Sequence, residues 1–176
     1  MKLLISMDIT LVRVDNRLIH GQILEAWLPF TQASCIMVVN DEVADDFFRE
    51  TVIRMAVPRD IEVIISGVQD FTRDFTYATG QGKKAIVLFS TIADACKAFS
   101  AGFKFKKLNL GNVHHEHGEG EGIRCSSCIF LDNNDMQCVL NLMDADGVQV
   151  ELQRIPQEEP VDARDIMPKS LCLKCR

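Results

Sequence analysis

The run RVDNRLIHGQ, Arg13–Gln22, sets one histidine, one carboxylate and two arginines within a few positions of each other. A neutral imidazole is a nucleophile, and histidine is among the side chains that form covalent intermediates. Asp15 can hold one ring nitrogen of His20 or orient an arginine. Arg13 and Arg17 bring permanent positive charge on planar forks that match phosphate oxygens. Gly21 leaves the approach to the ring open. The chemistry these residues suit is phosphoryl transfer to and from His20, with arginines and backbone amides stabilising charge on the equatorial oxygens. The same spacing also fits a surface ion-pair set of Arg13, Asp15 and Arg17 beside a helix-capping His20.

Such a group needs elements that hold it. Strand patterns run over Asp8–Val14, Ser34–Asn40, Ile61–Ser66, Lys84–Phe89, Lys107–Leu110 and Val148–Ile155. Several, such as CIMVV and AIVLF, are almost wholly apolar, as strands buried on both faces are. Helical patterns at Gln22–Phe30, Ala44–Met55, Ile92–Phe99 and Asn133–Met143 fall between them. Gly102 and Gly147 follow two of these patterns, where a left-handed cap is expected. Segment 68–82 reads as a short helix plus a loop. The alternation predicts one α/β domain with an open, mainly parallel sheet and helices on both faces. His20 then sits beyond the carboxyl end of the first strand, at a helix N-terminus that offers amide donors to an anion.

Composition fits this reading. The chain has 176 residues, 47% hydrophobic, enough for one sizeable core, and a formal net charge of −6. Acidity excludes nucleic acid, whose phosphates need a basic surface, and no apolar run is long enough to span a membrane. MKLLISM is too short for a secretory signal. Seven cysteines, an odd number, point to a cytoplasmic protein with mostly reduced thiols.

RVDNRLIHGQI resembles the signature of the IIB subunits of the mannose/fructose/sorbose family of the sugar phosphotransferase system. The likeness continues through VVNDEVADDFFRE, VLFST, LNLGNVH and GVQVELQRIP, covering most of residues 7–162. It implies an open α/β sheet and a phosphohistidine at His20. That residue would receive its phosphoryl group from a phosphohistidine of a IIA subunit and pass it to a sugar brought in by the membrane subunits IIC and IID. It also implies active-site roles for Arg17 and for Arg49, which could equally be an exposed helix charge. It implies no metal or nucleotide cofactor, and a cytoplasmic protein held at the inner face of the membrane through IIC and IID. Asn112 and His114, on the loop after LNLG, are further candidates for the phosphoryl site, with Gly21. Family members begin near the equivalent of Met7, so translation from Met7 is an alternative to Met1. The domain is expected over residues 7–156, with an extended tail over 157–176. A homo-oligomer is compatible with the sequence.

The chain departs from the family pattern in three places. After LNLGN the loop carries His114, His115, Glu116 and His117 in place of a weakly polar, Gly-rich stretch. CSSC (Cys125, Cys128) and a terminal CLKC (Cys172, Cys175) are foreign to it. Two CxxC pairs suit tetrahedral zinc, although the gap between them exceeds that of a compact zinc ribbon. They also suit reversible disulfides, or four unrelated thiols. The histidine loop could support the phosphoryl site, join His20 around a metal, or be a plain polar loop. Cys35, Cys96 and Cys138 fall in apolar patterns and read as core. The alternative function is therefore a IIB-like regulatory or metal-binding protein outside sugar transport.

Overall fold

The computed structural model describes residues 5–77, 83–114 and 121–167. β1 (Ile5–Asp15), β5 (Lys83–Phe89) and β2 (Cys35–Val39) form the middle of a sheet continued by β3 (Glu62–Ser66) on one side. On the other side follow β6 (Lys107–Asn112), β9 (Gln149–Leu152) and β10 (Val161–Asp162). The order is β10-β9-β6-β1-β5-β2-β3, parallel except for β10, and β4 (Phe75–Tyr77) pairs with the start of β1. The two central runs are buried because both faces are covered. Cys35, Met37 and Val39 pack into one core while Ile36 and Val38 pack into the other.

The first core is closed by α4 (Val68–Asp74), α5 (Ile92–Ser100), α6 (Asn133–Asp144) and the short α7 (Ala163–Ile166). Phe71, Phe75, Phe89 and Phe103 meet there at ring separations such as 4.8 Å for Phe71–Phe103. The second core is closed by a π-helical segment, Gln22–Trp27, that runs into α1 (Leu28–Thr31), and by α2 (Asp41–Ala44) and α3 (Phe47–Ala56). Pro29 cannot donate an amide hydrogen to the turn before it, which accounts for the wider winding there.

The helix expected over Ala44–Met55 is two helices. Asn40 caps α2 by accepting from Val43 N (2.9 Å), and Asp46 caps α3 by accepting from Phe48 N and Arg49 N. Gly102 and Gly147 adopt φ +115° and +68°, the left-handed caps read from the sequence. An antiparallel hairpin, β7 (Gly122–Ser126) and β8 (Ile129–Asp132), stands beside the main sheet, and the segment after Pro156 adds an edge strand and a helical turn.

β1 is flanked by β5 and β6, which are consecutive in the main sheet. The winding direction therefore reverses across β1, and the carboxyl end of such a strand is where open α/β sheets bind ligands.

Candidate active site

β1 ends at Asp15, and the chain turns back at once, with Leu18 N donating to Asp15 O at 2.9 Å. Leu18 is held at φ 54° with its side chain buried. A bulky residue in that region costs energy and persists only where its surroundings dictate it. The turn delivers His20 to the start of the π-helical segment, where Ile23 N and Leu24 N both donate to His20 O.

Asp15 is fully buried and its carboxylate is saturated. Oδ2 accepts from Arg13 Nη2 at 3.0 Å and meets His20 Nε2 at 2.9 Å, while Oδ1 accepts from Arg17 N at 3.2 Å and Arg17 Nε at 3.3 Å. Burial alone would push this carboxyl up. The hydrogen bond with His20 and the charges of Arg13, His20 and Arg17 outweigh it, and the group lies below its usual value. An ionised Asp15 accepts the proton of Nε2–H, which leaves the lone pair on Nδ1. Nδ1 accepts only a long bond, 3.4 Å, from Gln22 N.

Arg13 does not occupy the phosphate-binding place expected of it. Its side chain has no exposed surface and donates to Asn109 Oδ1, Gln153 O (2.8 Å), Asp15 and Arg154 O (3.1 Å). Its guanidinium carbon lies 5.3 Å from the centroid of Trp27, whose Nε1 donates to Arg154 O. A Cβ at Gly111 would overlap this guanidinium, so the glycine in LNLGN makes room for it. Burial lowers the Arg13 pKa while Asp15 opposes that shift. The cation is a positioning group for Asp15. Asn109, Gly111 and Trp27, none of them singled out from the sequence, complete its cage.

Arg17 is half-exposed and also donates to Gln22 Oε1 at 3.0 Å. It lines an open cleft of about 880 Å³ at the carboxyl ends of β1, β2, β5 and β6, together with Arg49, Asn112 and His114. Arg49, on α3, pairs with Glu42 at 3.3 Å. Asn112 is buried at the end of β6, and its carbonyl accepts from Asn16 N at 3.0 Å. Asn16 also binds the His114 amide and Ser90 O, so it ties the β6 exit to the β5 exit. Gly21 is exposed with helical dihedrals, and a Cβ there would meet nothing within 4 Å. The polar cleft residues that went unread in the sequence include Asn16, Asn40, Ser90 and Lys97. The signal for Asn40 and Ser90 was their place at the carboxyl ends of two apolar strands. A second, mostly apolar groove of about 450 Å³ lies between residues 9–12 of β1 and Phe103–Lys107, with Asn109, the partner of Arg13, on its lining.

Cys125 and Cys128 lie on the β7–β8 hairpin, while His115, His117, Cys172 and Cys175 lie outside the described residues. Among the described residues no cluster of three or more potential ligands forms a metal site. No described helix is long and apolar enough to cross a membrane.

The model of the sorbose subfamily IIB component of the phosphotransferase system matches residues 9–174. The chain belongs to that family. The fructose-specific EIIB component of Bacillus subtilis (strain 168) is 29% identical over 161 residues, 92% of this chain and 96% of that one. The mannose-specific EIIAB component of Escherichia coli (strain K12) is 27% identical over 163 residues, 93% of this chain but 49% of that longer protein. The crystal structure of the IIBSor domain of the sorbose permease from Klebsiella pneumoniae superposes with a TM-score of 0.77, at 26% identity, covering 90% of this chain and 95% of that one. As a IIB component, this chain is a phosphotransfer protein of a sugar phosphotransferase system with an open, mainly parallel α/β fold.

Proposed function

We propose that His20 accepts a phosphoryl group on Nδ1 from a phosphohistidine of a IIA partner and passes it to a sugar entering through IIC and IID. The observation that carries this is the asymmetric hold on the ring: Nε2 lies 2.9 Å from a buried carboxylate while Nδ1 keeps one long, breakable contact. In the first step the Nδ1 lone pair attacks phosphorus as the donor's N–P bond breaks and its electron pair returns to the donor histidine. In the second, a sugar hydroxyl attacks, the His20 N–P bond breaks, and the hydroxyl proton is released. Asp15 stabilises the positive charge that the ring carries while phosphorylated. Phosphoryl oxygens on Nδ1 would be met by the exposed face of Arg17 and by the amide of Gln22, a reading supported by the half-exposure of Arg17 and by the contact of Gln22 N with Nδ1.

A IIA partner is supported by the mannose relative, named as an EIIAB component and about twice as long as this chain. The membrane subunits, the sugar and a peripheral place at the inner face of the membrane follow from the family's likeness. Chemistry at His20 requires no cofactor.

Incubation with the general phosphotransferase components and a cognate IIA should label the protein with acid-labile, base-stable phosphate. His20→Ala should abolish the label, and nitrogen-resolved NMR should place it on Nδ1. Failure of a matched IIA to label the wild type would overturn the reading.

A further inference from the structure

The first half of β1 has an open edge. Met7 pairs with Tyr77 of β4 and with Lys83 of β5, so β4 and β5 lie on opposite edges of the strand. β5 continues along its own edge as far as Val14. On the other edge β4 stops opposite Met7, and β6 joins only at Arg13. Across residues 8–12 no described strand takes that edge, and the backbone groups that point there have no ladder partner among the described residues. The interruption leaves room for about four extended residues, at roughly 3.3 Å each.

Residues 9–12 of this edge line the apolar groove of about 450 Å³, and Phe103–Lys107 forms the facing wall. That wall is tied to α5 and β9. Phe103 N donates to Ala98 O at 2.9 Å, and Lys106 O accepts from Gln149 N at 2.9 Å. The Phe105 ring lies 4.9 Å from Phe99 and 5.8 Å from Phe103. The groove is therefore formed before anything enters it. Along the wall residue types alternate: Phe103 is buried and Phe105 half-buried, whereas Lys104 and Lys106 are exposed. The lining holds Lys104, Lys106 and Lys107 and no acid, on a chain of formal net charge −6. Glu151 neutralises Lys107 at 2.7 Å, and Lys104 rests over the Phe99 ring at 3.9 Å. No described acid pairs with Lys104 or Lys106.

We propose that this groove takes an extended segment of a partner protein, in which apolar residues alternate with acidic ones, as an added strand on the open edge of β1. The unpaired edge supplies main-chain hydrogen bonds, and the side-chain lining supplies selectivity. Successive side chains of an extended segment face opposite ways. One row then meets Ile9, Phe103 and Phe105, while the other meets the lysines. Charge argues against face-to-face pairing with a second copy, whose groove carries the same lysines. The groove and the cleft at the carboxyl end of β1 share no lining residue, so a partner held here leaves the cleft open. The inference does not rest on the phosphoryl reading.

The test is a titration of the full-length protein with a synthetic, end-capped peptide that alternates glutamate with valine, followed by backbone amide NMR. Saturable shifts should centre on residues 8–12 and 103–107, spare the cleft, and weaken as salt rises. Lys106→Glu, an exposed change, should weaken binding by about tenfold. Methylating the peptide's backbone nitrogens in alternate sets should abolish binding for the set that faces β1, a readout that does not depend on a variant folding. The proposal is overturned by an absence of saturable binding, by equal binding of the same peptide with lysine for glutamate, or by binding that survives methylation of either set. A free protein that sediments as a dimer and dissociates on Phe105→Glu would assign the groove to a second copy and overturn it as well.

Discussion

Arg17 and Arg49 line one cleft but are held in opposite ways. Arg17 leaves a strained turn and bonds a buried carboxylate, which is braced from behind by a buried arginine caged by Asn109, Trp27 and two carbonyls. Arg49 rides on α3, a helix with no fully buried residue, and its partner is the exposed Glu42. Phe47 and Phe48, its neighbours, are exposed at 83% and 75%. The first region has its electrostatics set before any ligand arrives, the arrangement that gives charge stabilisation without reorganisation. An exposed ion pair such as Arg49–Glu42 is worth about 0–1 kcal/mol and sets little in advance. Positioning power follows the depth of the support and not the number of arginines in the cleft.

The strongest way to break the contrast is to remove the brace. Arg13→Met leaves Asp15 buried with one fewer cation, and breaking a buried pair in this way costs about 3–5 kcal/mol. Denaturant unfolding at neutral pH should show that loss. Its pH dependence has a definite sign. The folded carboxyl of Asp15 lies below its ordinary value, so its stabilisation is present above the unfolded pKa and is lost as pH falls through the folded one. Without Arg13 the folded value rises, and acid unfolding should begin at higher pH than in the wild type. An unchanged acid limb would mean that Arg13 does not hold Asp15 ionised.

Arg17→Gln should spare the fold and cut the rate of phosphoryl transfer to His20 by about 100-fold, the scale of one lost donor at a developing charge. Rapid-quench labelling with a saturating IIA partner reads this rate directly. A variant with normal rate but weakened IIA binding would move Arg17 from the transfer step to docking.

The difference between these arginines was only half legible in the sequence. CIMVV and AIVLF announced central strands because burial on both faces leaves no room for polar residues, and the motif before Gln22 singled out His20 as the candidate histidine. The burial of Arg13 was hidden because its cage comes from Asn109, Gly111, Gln153 and Arg154, distant in sequence and each ordinary alone. Gly111 acquires a reason only when the guanidinium fills its space. β4 and β10 are too short to leave a pattern, and in GIRCS only Ile123 and Cys125 alternate with polar positions, too few residues to mark a strand. The π-winding before Pro29 is invisible because Ile23 and Trp27 face the core under either helical period.

The smallest effect should come from α3. Arg49→Gln removes a half-exposed cation that pairs with the exposed Glu42 among the described residues, so stability should stay within about 0.5 kcal/mol of wild type. If Arg49 meets the phosphoryl group or the protein that delivers it, the loss should appear as roughly a tenfold fall in transfer, about 1.4 kcal/mol. Because only an exposed pair with Glu42 orients this side chain among the described residues, Arg49→Lys should recover most of that loss. Arg17→Lys should not, since an ammonium cannot reproduce a guanidinium fork that bonds Asp15 on one edge and faces the cleft on the other. Equal rescue at both positions would erase the distinction between a braced arginine and an adaptable one.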